Sequence, residues 1–113
     1  MVIWAKVQDR SGVAKPSARP LLVISVHPTN KKAPLVTRCI STREINKPND
    51  PVIEMPWHPK TGAGVGLYKK CFVVLRWSAI VEQADVEDIT GTIDRHFLEF
   101  VLDRIIQLRG LLP

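Results

Sequence analysis

For most of its length the chain groups its apolar residues into short runs, and only the last twenty positions show a longer period. Val2 to Val7 alternates enough to predict a strand. Leu21 to Val26 is a continuous apolar run with β-branched content, which predicts a central strand. Leu35 to Thr42 predicts another strand and Asp50 to Met55 a shorter one. Cys71 to Trp77 and Ala79 to Val81 are two strands or one bent strand. Between them lie breakers: Asp9 to Ala18 holds Ser11, Gly12 and Pro16, and Pro28 stops the run at His27 by removing a donor and restraining its neighbour. Pro56 to Gly66 (PWHPKTGAGVG) reads as a mobile loop. From Phe97 the apolar positions fall at 97/98, 101/102, 105/106 and 108, one face of an amphipathic helix. Glu99, Asp103, Arg104, Gln107 and Arg109 form its polar face, with Asp94 as N-cap and Gly110 as the residue after the last turn. A row of strands closed by one terminal helix is α+β or a small barrel with a helical lid. A parallel sheet would need helices between its strands, and none is predicted.

The 113 residues fit a single domain, 1–113, with no internal repeat or linker. No apolar run approaches the ~20 residues of a membrane span, and Met1 to Lys6 lacks the basic and apolar regions of a signal peptide. Cys39 and Cys71 lie in apolar strand segments and read as buried free thiols of a cytoplasmic protein. The net charge of +5 is uneven: residues 1 to 48 carry nine Lys or Arg against Asp9 and Glu44, a net +7, whereas residues 49 to 113 net −2. A positive field confined to one half fits RNA, DNA or an acidic peptide as partner, or else a basic surface kept for solubility.

His27, His58, His96, Cys39 and Cys71 are too widely spaced for a structural zinc site, so neither a metal nor another cofactor is expected. GAGVG at 62 to 66 lacks the Lys-Ser/Thr of a phosphate-cradling loop, and no Gly-x-Ser-x-Gly elbow occurs. What remains is Arg19, Arg38, Ser41, Thr42 and Arg43, which share a groove if the strands at 21–26 and 35–42 pair. An arginine fork beside hydroxyls suits a phosphodiester and the charge on its non-bridging oxygens. The alternative is that Ser41 and Thr42 only turn the chain and Arg19 caps a sheet edge. Trp57 and His58, in a proline-flanked loop, either stack on a base or tuck onto a rim.

Taken together, VIWAKV, a basic loop, RPLLVIS, CIST, KKCFVVL and the segment Val81 to Val86 resemble the MazF/PemK toxin family of bacterial toxin–antitoxin pairs. The resemblance covers Val2 to about Gly110. It implies an SH3-like barrel with a C-terminal helix, a homodimer, metal-free endoribonuclease cleavage of single-stranded RNA at a short motif, and neutralisation by an acidic antitoxin. It places the catalytic arginine on Arg19 and the catalytic hydroxyl on Ser41, with Thr42 adjacent. Two departures accompany it. The loop SGVAKPSA has no carboxylate or imidazole after Asp9, and the family's acid, glutamine and arginine are replaced by Arg76, Trp77 and Ala79. Cleavage then rests on Arg19 and Ser41 and is weakened, with Arg76 and Trp77 setting a different sequence preference. The alternative is a non-catalytic barrel that binds nucleic acid or an acidic peptide.

Overall fold

The computed structural model describes residues 1–8, 12–13, 17–43 and 50–110. Six strands come first and a helix last: β1 (Val2–Ala5), β2 (Arg19–Ser25), β3 (Leu35–Ser41), β4 (Val52–Glu54), β5 (Phe72–Val81), β6 (Asp88–Gly91) and α1 (Arg95–Gly110). All pairings are antiparallel, in the order β4-β5-β3-β2-β1-β6. The expected strands appear with ends moved by at most two residues, and residues 72–81 form one strand. β6 is absent from the sequence reading. The loop expected over Asp9 to Ala18 lies largely outside the described residues.

β2 is unbroken in apolar character because both of its faces are covered. Leu22 joins Val2, Ile40, Val73 and Leu75 in a core shared with Met55, Val65, Leu67, Cys71 and the helix residues Val101 and Ile105. Leu21 and Val23 point the other way, into a second cluster with Ile3, Ala5, Leu35, Cys39 and Val81. The two-residue period of the strand alone produces this division. Cys39 and Cys71 are both buried thiols outside any disulfide, one in each cluster. Burial, reinforced by the nearby Glu54 carboxylate, pushes the Cys71 thiol up to about 11.

α1 starts where Asp94 accepts two backbone N–H groups, His96 N on its side chain at 3.4 Å and Leu98 N on its carbonyl at 3.0 Å. Val101 and Ile105 are buried, with Phe97, Leu98 and Leu108 packed against the same core. Ile106, expected on that face, is exposed instead, because the buried stripe follows 97, 98, 101, 105 and 108.

The segment expected to be a mobile loop is packed down. Residues Gly62–Gly64 form a 3-10 turn, and Val65 and Leu67 insert into the helix-side core. Thr90 of β6 donates its hydroxyl to Val65 O at 2.7 Å. Glycine is required for closeness rather than for flexibility. A Cβ on Gly91 would stand 2.1 Å from Gly64 O, and one on Gly66, at φ 74°, would stand 2.5 Å from Thr90 Cβ. Since the close neighbour of Gly91 is backbone, Gly91→Ala should destabilise the fold by about 2 kcal/mol or more. Denaturant unfolding checks this, with Gly12→Ala as a control that carries the strain of a positive φ of 88° but meets no neighbouring atom.

Ionisation of Cys71 is opposed only in the folded state. Its contribution to stability is therefore intact below about pH 9 and is lost as pH rises toward about 11. Unfolding midpoints from pH 8 to 11 should fall less steeply in Cys71→Ala than in the parent.

Candidate active site

The candidate residues gather where β2 begins and β3 ends. Pairing runs Leu21 with Cys39 and Leu22 with Arg38, and continuing that register brings Arg19 opposite Ser41. Arg19 Nη1 donates to Ile40 O at 3.1 Å. Its Cζ lies 4.3 Å from the centroid of the Trp77 ring, within cation–π range. Its Nε is buried with no hydrogen-bond partner among the described residues. Arg19 is thus half-buried, bonded along one edge and stacked on one face. Pro20 withholds an N–H where β2 enters the sheet, opposite Trp4.

Ser41 is half-buried, and its Oγ accepts Arg43 N at 3.2 Å, so the hydroxyl both turns the chain and keeps its own proton to donate. Thr42 and Arg43 follow, both exposed. The hydroxyl residues therefore do turn the chain, as the alternative reading held, and they do so beside the guanidinium.

Arg38 does not join them. It is 6 % exposed, and it donates from Nε to Leu75 O at 2.9 Å and from Nη1 to Thr37 O at 3.1 Å. Arg38 and Ser41 are three apart on one strand, which sets them on opposite faces. The expectation that both line one groove gives way to that parity. Trp57 and His58 also stand apart. Trp57 packs against the helix-side core and its indole N–H reaches Glu54 Oε2 at 3.1 Å. His58 Nδ1 accepts Lys60 N and Thr61 N, both at 3.1 Å, which fixes the remaining proton on Nε2. His27 does the same with Thr29 N and Asn30 N at 3.2 and 2.8 Å. The repeated His-Pro-x-Asn/Thr in the sequence is the signal for these turns, and sequence reasoning missed it. Asp9, the other loop residue considered as a base, lies outside the described residues.

Arg76 and Trp77 sit in an irregularity. Arg38 pairs with Ser78 and Ile40 with Val73, so two steps along β3 oppose five along β5. Arg76 is exposed, while Trp77 packs against the Leu21–Cys39 cluster. Beside them runs an open groove of about 820 Å³ lined by Lys6 and Gln8 after β1, by Arg76, Trp77 and Ser78, and by Asp85. Lys6, Gln8, Ser78 and Asp85 are lining residues that sequence reasoning did not single out. The positive charge of the first half is not one patch. Lys31 and Lys32 lie in the turn beyond the far end of β2, roughly 20 Å from Arg19 at strand rise.

Among the described residues, no group of three or more His, Cys, Asp or Glu is placed to hold a metal ion, and no helix is long and apolar enough to cross a membrane.

Comparison with known proteins bears on the family and the fold. Residues 1–108 match the family described as PemK-like, MazF-like toxin of type II toxin-antitoxin system. The chain belongs to that family. Among solved structures it is similar to the Mycobacterium tuberculosis toxin MazF-mt6, with a TM-score of 0.61 and 16% identity over 98% of this chain and 99% of that one. That likeness is one of fold, a barrel-like antiparallel sheet with a C-terminal helix, which is the fold class expected from the sequence. No curated protein matches.

Arg38→Met removes two charge-assisted bonds to buried carbonyls and should cost about 3 kcal/mol of stability. Arg43→Ala, at an exposed site, should stay within about 0.5 kcal/mol. Thermal and denaturant unfolding of the two variants side by side measures the contrast.

Proposed function

We propose that this chain is the toxin of a type II toxin–antitoxin pair and acts as an endoribonuclease, cutting single-stranded RNA at a short motif without a divalent metal. The observation that carries the reading is the juxtaposition of Arg19 and Ser41 at the adjoining ends of β2 and β3. The substrate supplies the nucleophile. The ribose 2′-OH attacks the neighbouring phosphorus, and the bond to the leaving 5′-oxygen breaks. The products are a 2′,3′-cyclic phosphate and a 5′-hydroxyl. Arg19 binds the non-bridging oxygens as charge accumulates on them. Ser41, with Thr42 beside it, orients the phosphate or passes a proton to the leaving oxygen. Arg43, Arg76 and the groove beside Trp77 bind the flanking strand.

The working form in this proposal is a cytoplasmic homodimer, neutralised by an acidic antitoxin that reaches the basic ground around Arg19. Steering by opposite charge speeds that encounter and makes it salt-sensitive. Turnover is slower than in relatives that keep the acid and arginine replaced here by Arg76 and Ala79. A second reading, a barrel that binds nucleic acid or an acidic peptide without cutting it, draws on one specific feature: the half-covered state of Arg19 beneath Trp77.

Purified chain and labelled single-stranded RNA separate the two. Arg19→Ala should lower cleavage about 100- to 1,000-fold, Ser41→Ala should lower it less, and EDTA should leave it unchanged. RNA bound but never cut, at any protein concentration, establishes the second reading.

A further inference from the structure

The stack of Arg19 on Trp77 takes no part in the steps above, yet it is the contact that decides how the guanidinium stands. We infer that Trp77 is a positioning residue for Arg19, holding the guanidinium plane against its indole face so that the outer Nη edge meets the phosphate. The inference rests on the nuclease reading of the site.

Three constraints act on one planar group. Nη1 donates to Ile40 O at 3.1 Å, Cζ lies 4.3 Å from the ring centroid, and Nε is buried with no acceptor. An arginine carries five N–H donors. One is spent on Ile40 O and the Nε–H is shielded, so the second Nη1–H and both Nη2–H groups remain for a ligand. A plane fixed by an edge bond and a face contact no longer rotates freely, so those three donors are aimed before a phosphate arrives.

The chemistry of the partner matters. A carboxylate in that place would bind the guanidinium bidentately, neutralise it and consume the donors a phosphate needs. An indole face attracts the cation through its quadrupole and offers no acceptor, so orientation is gained while charge and N–H groups stay available. Trp77 is itself held, packed against the Leu21–Cys39 cluster from the irregular stretch of β5. With one ring face turned to Arg19, Trp77 acts through the arginine and not as a stacking platform for a base.

The test compares the parent with Trp77→Phe and Trp77→Leu, using steady-state cleavage of a short single-stranded RNA and NMR of the arginine Nε–H groups. In Trp77→Leu, kcat should fall about 3- to 30-fold with KM within twofold, equivalent to roughly 0.6–2 kcal/mol at 1.36 kcal/mol per decade. Trp77→Phe, which keeps a ring, should recover much of the loss. The Arg19 Nε–H signal should be slow to exchange and ring-shifted in the parent and in Trp77→Phe, and should lose both properties in Trp77→Leu. Should Trp77→Leu fail to fold, fluorinated tryptophan weakens the negative face at nearly constant shape. It should then lower kcat in the parent but not in Trp77→Phe. A rise in KM at constant kcat, or an equally protected Arg19 signal in Trp77→Leu, overturns the inference. If the parent cuts no RNA, the nuclease reading fails separately. The platform is then judged with inorganic phosphate, which must shift the Arg19 signal more strongly in the parent than in Trp77→Leu.

Discussion

The end of the molecule that carries the candidate site depends on a buried guanidinium that never reaches it. Arg38 spans the place where β3 and β5 fall out of step, donating to Leu75 O and to Thr37 O. Extra residues in one strand leave carbonyls turned away from the ladder, and a buried carbonyl without a donor costs about 1–3 kcal/mol. Arg38 supplies a donor to one such carbonyl in the irregular stretch. The same departure from register frees residues 74–77 from pairing with β3 and lets Trp77 turn toward Arg19. A side chain on the helix-side face of β3 thus helps set the position of a ring on the opposite face.

The two faces of the sheet divide the work. One is sealed by α1 and the packed segment from Met55 to Cys71, with Gly66 and Gly91 allowing β6 and that segment to touch at backbone distance. The other carries the smaller cluster, and at its margin Trp77, in contact with Arg19, lines the open groove beside Arg76. A site at the rim of a rigid sheet gains orientation from strand register without needing a loop to hold it. That suits a chemistry whose main demand is alignment and charge stabilisation at a phosphate. It also accounts for a half-buried arginine at the mouth of an apolar strand: its stem packs while its outer edge stays polar.

Two positions where the resemblance led us to expect other, polar side chains, 77 and 79, have different weights in space. Ala79 packs against the Leu21–Cys39 cluster, and its carbonyl accepts the Thr37 hydroxyl at 2.9 Å, so no charge stands there. Trp77 makes a contact with Arg19 that leaves the guanidinium charged. Gln83, nearby, clamps the β2–β3 turn by donating to Lys31 O and Ala33 O, and so ties the segment after β5 to the far end of the hairpin.

What the sequence determined by itself is the set of local patterns. Two-residue alternation and unbroken apolar runs defined five of the strands. The four-residue recurrence from Phe97 defined α1, and Asp94 its start. Pairing of the segments around Leu21 and Cys39 was enough to bring Arg19 beside Ser41. Strand parity, which sets Arg38 and Ser41 on opposite faces of β3, was passed over when both were expected in one groove. β6 escaped because four residues ending in glycine carry almost no period. The packed 62–66 turn escaped because its glycines serve a distant neighbour, Thr90 and the backbone at Gly91. The five-against-two register, the stack of Trp77 on Arg19 and the burial of Arg38 were decided only in three dimensions. Each depends on which residue of one strand stands opposite which of another, and that choice belongs to the assembled sheet rather than to either segment.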